Sequence, residues 1–227
     1  MIDRALFRAI LPAILVLLPI AGCGDDESNG QPRDTPTPTP QATPVLEGAS
    51  KELIELLILG LDVTYKITYQ TTTPDGQEGD TYVVINKPPR ARIDIISADA
   101  SEPSSVIIGG DSNTETIGCS GSVEQWECSE IEPLSDSLVR TAGPVPVFSA
   151  TDLQLFDVTE AESRTVAGQD ARCLRLSPRD RASEDTEYCL SKDGVPLYTT
   201  SPFGTVEATE FSAQVSDQDF VPPAEPQ

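Results

Sequence analysis

Two hydrophobic periods follow one another along the chain. Leu53, Ile54, Leu56 and Leu57 recur at helical spacing behind Ser50, a residue able to cap, and Gly60 closes the run, which predicts a short helix over 50–59. Past Gly60 the period changes to two. Val63, Tyr65, Ile67 and Tyr69 alternate with Thr64, Lys66, Thr68 and Gln70, as in a half-buried strand, and Pro74-Asp75-Gly76 turns the chain. Tyr82-Val83-Val84-Ile85 and Val106-Ile107-Ile108 are instead unbroken apolar runs, and Ile93, Ile95 and Ile96 also supply both faces, so the middle of the sheet is expected to be covered on both sides. Lys87-Pro88-Pro89-Arg90 and Gly109-Gly110-Asp111 break these runs, and a turn is predicted at Ser120-Gly121-Ser122, with Trp126 as a packing anchor beyond it. A second helix is predicted over 133–142, with Leu134, Leu138 and Val139 inward and Gly143-Pro144 ending it, as a lid over the sheet. Further strands are predicted over 153–158, 163–166, 171–176, 187–191, 195–199 and 206–215, and Phe220 is the one aromatic that packs near the end. The pattern is therefore mainly β (α+β): one antiparallel sheet of about nine to eleven strands, with one or two short helices packed on a face.

Ahead of this body the pattern is different. Arg4 and Arg8 precede an apolar stretch from Ala9 to Ile20, broken only by Pro12 and Pro19, and small residues lead to Cys23. These are the regions of a secretory leader, and the run is short of the roughly 20 apolar residues of a membrane span. Ile20-Ala21-Gly22-Cys23 resembles the lipobox of bacterial lipoproteins. The resemblance implies removal of residues 1–22 and a diacylglyceryl group on the Cys23 sulfur, so that the protein is lipid-anchored on the extracytoplasmic (periplasmic or cell-surface) side of a membrane. Residues 23–46 carry Asp25-Asp26-Glu27 and alternating threonine and proline from Thr35 to Pro40, with almost no large apolar side chain. They are expected to form a disordered tether reaching up to roughly 65 Å in polyproline form. The folded domain is expected over 47–223, with a frayed tail over 224–227.

Charge and chemistry narrow the function. The chain carries 15 Lys and Arg against 37 Asp and Glu, a net charge of −22. Such a surface repels phosphate backbones and anionic headgroups, which argues against nucleic-acid partners and electrostatic membrane docking. There is no histidine. The commonest general base and zinc ligand are missing together, no Ser-His or Cys-His arrangement can be assembled, and no phosphate-loop, calcium-loop or paired-cysteine metal pattern occurs. No enzyme activity, metal or cofactor is expected. With Cys23 lipidated, Cys119, Cys128, Cys173 and Cys189 form an even set outside the reducing cytoplasm; three pairings are open, and the spacing favours Cys119 with Cys128 and Cys173 with Cys189.

The order of elements carries a further resemblance. A short N-terminal helix, long antiparallel strands with Lys87-Pro88-Pro89-Arg90 between two of them, a mid-chain helix and the turn Lys192-Asp193-Gly194-Val195-Pro196-Leu197 resemble the LolA-like half-barrel superfamily, including the LppX/LprG-type lipid carriers. The resemblance spans roughly residues 47–223. It implies a curved sheet closed by helices around an apolar cavity for acyl chains or a lipidated cargo, in a protein expected to be monomeric. The cavity lining expected on that basis is Val63, Tyr65, Ile67, Tyr69, Val84, Ile93, Ile95, Leu134 and Leu138. The alternative is an envelope protein with a solid core that binds protein partners or senses envelope state. Cavity volume separates the two, because a void of several hundred Å³ suits a carrier and a closed core does not.

Overall fold

The computed structural model describes residues 46–99, 104–109, 116–122, 125–131, 143–180 and 184–227. The leader, Cys23, the tether up to residue 45 and the lid predicted over 133–142 fall outside them. Helix α1 spans Gly48–Leu61. Twelve strands follow: β1 Tyr65–Thr72, β2 Glu78–Lys87, β3 Arg90–Ile96, β4 Ser104–Gly109, β5 Thr116–Ser122, β6 Gln125–Ile131, β7 Phe156–Glu160, β8 Arg164–Val166, β9 Gln169–Pro178, β10 Thr186–Ser191, β11 Pro196–Ser201 and β12 Gly204–Ser212. They form one open, curved antiparallel sheet in the order β6-β5-β4-β3-β2-β1-β12-β11-β10-β9-β7, with β8 also on β9. Among the described residues this is one strand more than the upper expectation of eleven; the strand predicted over 153–158 is shorter than expected, a 3₁₀ turn at Asp152–Leu155 followed by β7.

The sheet is two meanders joined at the pairing of β1 with β12, the first and last strands. Short turns make each meander local. Thr73 N–H bonds Gln77 O at 2.9 Å around Pro74-Asp75-Gly76, and Gly194 N–H bonds Ser191 O at 3.0 Å in the β10–β11 turn. The long-range join is driven by side chains: Ile67 lies opposite Phe211 and Tyr69 opposite Ala208, with a bulge between Thr68 and Tyr69 that adds twist.

Pairing register sorts the apolar positions onto two faces. Ile67 pairs with Val84 and Val84 with Ile93, so these three share the face that α1 covers. Leu53 and Leu57 of α1 bury there beside Leu174, Leu176, Tyr188, Leu190 and Leu197. Ile85, Val106, Ile108, Cys119 and Cys128 occupy the opposite face, where Phe220 closes over them. The unbroken run in β2 thus has covers on both sides, Val84 under α1 and Ile85 under Phe220; in β4 Val106 and Ile108 are covered on the second face, while Ile107 on the first is half-buried beside an open groove.

The differences from expectation are local. Glu47, not Ser50, precedes α1, and no side chain caps it; Ser50 lies within the first turn. Residues Ser120 to Ser122 belong to β5 rather than to a turn, and Trp126 stands opposite Gly121 inside β6. The last strand ends at Ser212, three residues short of the prediction, and a 3₁₀ turn follows at Asp217–Phe220. There Asp217 meets Lys87 and Arg90 around the Pro88–Pro89 turn, Asp219 meets Lys66, and Arg92 donates to Asp219 O and Val221 O at 3.0 and 2.8 Å. Further on, Gln227 N–H bonds Cys128 O at 3.0 Å.

Both disulfides join the pairs favoured by spacing, Cys119 to Cys128 and Cys173 to Cys189. Each bridges facing positions of adjacent strands, β5 with β6 and β9 with β10.

Candidate functional site

The α1 end of the sheet holds an apolar cavity of about 70 Å³. Its floor is Tyr65, Tyr69, Val84, Ala91 and Ile93, its roof Leu57, Gly60 and Leu61 of α1, and its side the segment 143–147. Four of the nine expected lining residues therefore come together, namely Tyr65, Tyr69, Val84 and Ile93. Ile67 is fully buried under α1 and fills core instead, while Val63 precedes β1 and packs on the same core and Ile95 packs with Ala91 and Ile93, neither reaching the cavity. Leu134 and Leu138 lie outside the described residues.

Asn86 is the polar member of the lining that strand parity would have revealed. It follows Val84 by two positions and so points to the same face. Its Nδ2 donates to Leu61 O at 3.1 Å and Val63 O at 2.7 Å, tying the end of α1 to β2, while the buried Oδ1 has no partner. The two carbonyl acceptors fix the amide orientation, so the spare atom is an acceptor that a donor-bearing guest would satisfy.

The walls differ in how firmly they are held. At Gly60 a β-carbon would stand 2.2 Å from Gly194 O, so helix and turn meet backbone to backbone. Arg172 adds an ion pair to Glu52 of α1. Segment 143–148 has no regular structure; Val145 is buried, Pro146 O accepts the Tyr188 hydroxyl at 2.9 Å, and Phe148 meets the rings of Tyr188 and Phe156 edge-on at 5.6 and 5.8 Å. Beyond this strap lies an open groove of about 530 Å³, with Pro144 lining both spaces and Phe148, Phe156, Thr199 and Val206 in the groove.

The titratable groups here are inert. Burial, then the neighbouring Tyr65 and Tyr188, pushes the Tyr69 hydroxyl well above 10, and burial followed by Tyr65 raises Tyr188 likewise. Both stay protonated and donate to backbone, Tyr69 to Pro196 O at 2.7 Å. Cys173, Glu187 and Cys189 approach one another closely enough to suggest metal ligation, but the two sulfurs are spent on their disulfide. No helix among the described residues is long and apolar enough to cross a membrane.

No protein-family model and no curated protein matches the sequence. Among solved structures, the chain is similar to three of MucB. MucB in complex with MucA(peri) aligns with a TM-score of 0.52 at 15% identity over 76% of this chain and 59% of that one. The Pseudomonas aeruginosa MucA/MucB complex gives 0.54 at 17% over 77% and 61%, and MucB alone 0.53 at 18% over 77% and 62%. The chain thus spans about three fifths of the length of these proteins, and at such identities the likeness is one of fold.

Proposed function

From a curved sheet that shares its fold with part of MucB and is consistent with a LolA-like half-barrel, we propose that the protein is an extracytoplasmic binder of a lipid-like hydrophobic ligand, anchored to a membrane through Cys23. It is read as a binder rather than an enzyme. The observation that carries the reading is the apolar cavity under α1, bordered by four of the residues expected to line it and, at about 70 Å³, smaller at rest than the several hundred Å³ that suits a carrier. Two disulfides suit an oxidising compartment outside the cytoplasm.

Size sets the mechanism. A cavity of about 70 Å³ is half of the ~150 Å³ that takes a benzene-sized guest, and far below the ~300 Å³ of ordinary ligand sites. It admits the end of a chain, not its length. A longer ligand requires a wall to yield. The helix is clamped at Gly60 and by Asn86, whereas the strap holds through Val145, Phe148 and one tyrosine hydrogen bond. Displacing the strap would join the cavity to the 530 Å³ groove that shares Pro144, bringing the combined space into the range of an acyl chain.

The test is native mass spectrometry of the Cys23→Ser protein, without and with added diacylglycerol or phosphatidylglycerol. Adducts that disappear when Ile93→Trp fills the cavity support the reading; ligand-free mass alone, with no uptake, overturns it. Acyl labelling that persists in Cys23→Ser refutes the anchor separately. A second reading, a solid domain that binds a protein partner, is favoured by the small resting cavity and by the MucA bound to MucB in two of the similar structures.

A further inference from the structure

Strand β6 ends the sheet, and its outer side has no strand partner among the described residues. The backbone groups it shows there follow from the Cys119–Cys128 pair. Their Cα atoms are 4.0 Å apart, the close spacing of a non-hydrogen-bonded pair, in which N–H and C=O point away from the neighbouring strand. By alternation Trp126, Cys128 and Glu130 all direct these groups outward. One of the six is taken, because Gln227 N–H bonds Cys128 O at 3.0 Å. Gln227 N–H thus shows that an outward acceptor of this edge takes a backbone donor.

We propose that the β6 edge is a strand-acceptor site for an extended, basic segment of a partner protein, with the C-terminal residues 225–227 as a one-bond placeholder that the segment displaces. Charge selects the partner. Glu127 and Glu130 are exposed on opposite faces of β6, so an incoming strand meets a carboxylate whichever way its side chains alternate. A second copy of this chain would set the same acids against each other, in a molecule already at −22, which disfavours edge-to-edge dimers. Beside the edge runs a groove of about 490 Å³ lined by Ile107, Gly118, Ser129, Ile131 and Gln227, which gives apolar side chains of the added strand a place to lie. The mode is β-augmentation, with main-chain bonds supplying affinity and side chains selectivity. It is independent of the lipid reading, since neither β6 nor the tail borders the cavity under α1.

The experiment uses a fluorescein-labelled nine-residue peptide alternating lysine and valine, its glutamate-valine counterpart, and a lysine-valine peptide N-methylated at alternate residues. Anisotropy is read against the intact chain, a chain ending at Ala224, Glu130→Gln and Glu130→Pro. Proline removes an outward N–H while leaving the β5–β6 ladder intact, and far-UV circular dichroism with a free-thiol count checks each fold. The lysine peptide is expected to bind, about two- to tenfold more tightly once the placeholder bond is removed and at least about threefold more weakly to Glu130→Pro than to Glu130→Gln, which removes the charge alone, as befits one backbone hydrogen bond in each case. Absence of binding, equal binding by the N-methylated or acidic peptide, or indifference to both the truncation and the proline overturns the proposal. Dimerisation of the chain ending at Ala224 in place of peptide binding overturns it too, by making a second copy the occupant.

Discussion

Replacing Gly60 by alanine sets helix propensity directly against packing. In an exposed helix the change stabilises by about 1 kcal/mol. Here the new β-carbon would lie 2.2 Å from Gly194 O and 2.7 Å from Gly194 C, backbone atoms that cannot rotate aside. The turn has no room to retreat, being held by Gly194 N–H to Ser191 O at 3.0 Å and Ser191 N–H to Val195 O at 2.8 Å. The helix must lift instead, by about 1 Å to restore ordinary contact. Lifting opens a gap beside Leu57 and Leu53, each of which contributes about 1.5–3 kcal/mol when fully buried. Partial loss at both, with the void beneath them, outweighs the propensity gain and leaves a net destabilisation of about 2–4 kcal/mol. For a domain of this size the midpoint should fall by about 5–15 °C. Urea and thermal unfolding followed by circular dichroism measure it. Gly76→Ala is the control, since nothing lies within 4 Å of its β-carbon and only its φ of +81° opposes the change, at about 1 kcal/mol. A Gly60→Ala midpoint equal to or above wild type would refute the clamp.

Three further outcomes follow from the same geometry. Replacing Cys119 and Cys128 together by serine should cost about 2–3 kcal/mol and the Cys173/Cys189 pair slightly more, since their separations are 9 and 16 residues; equal urea midpoints with and without the bridges would contradict this. Asp219 is held well below its ordinary value of 3.8 by the Ser216 backbone N–H, then by Lys66, so its contribution is present above about pH 4 and is lost as pH falls below it; Asp219→Asn should flatten that part of the stability profile, and an unchanged acid limb would be the adverse result. Asn86→Asp sets a buried carboxylate against Leu61 O and Val63 O, so the folded pKa rises, and the variant should lose about 3 kcal/mol or more at pH 7 and recover as the medium is acidified; a loss independent of pH would disprove the electrostatic cause.

Much of the architecture was legible because local periods report local physics. The change of period at Gly60 separated α1 from β1, and the unbroken run in β2 announced a strand covered on both faces. The cysteine spacing favoured the pairs that form, since neighbouring antiparallel strands place such residues opposite one another. Tyr65 and Tyr69 were recognisable as sharing a face from alternation, whereas Val84 and Ile93 join them through the pairing register. Asn86 obeys the same two-residue parity after Val84, yet a lone polar residue at a strand end reads as the edge of an apolar run.

What the chain determines by itself, then, is its elements, its two apolar faces and its disulfide neighbours, all of which arise between residues close in sequence. Which residue fills core and which borders a void is settled only when distant segments meet. Ile67 and Tyr69 have the same pattern, yet one lies sealed beneath α1 and the other beside the cavity, according to where the helix crosses β1. The C-terminal turn is a similar case: nothing local couples Asp217 and Asp219 to Lys66, Lys87 and Arg90, more than a hundred residues earlier. They meet because β12 returns to pair with β1 and delivers the tail to the opposite face. Tertiary structure alone makes that decision, since the free energy of closing so long a loop is recovered only by contacts that do not exist until the sheet is complete.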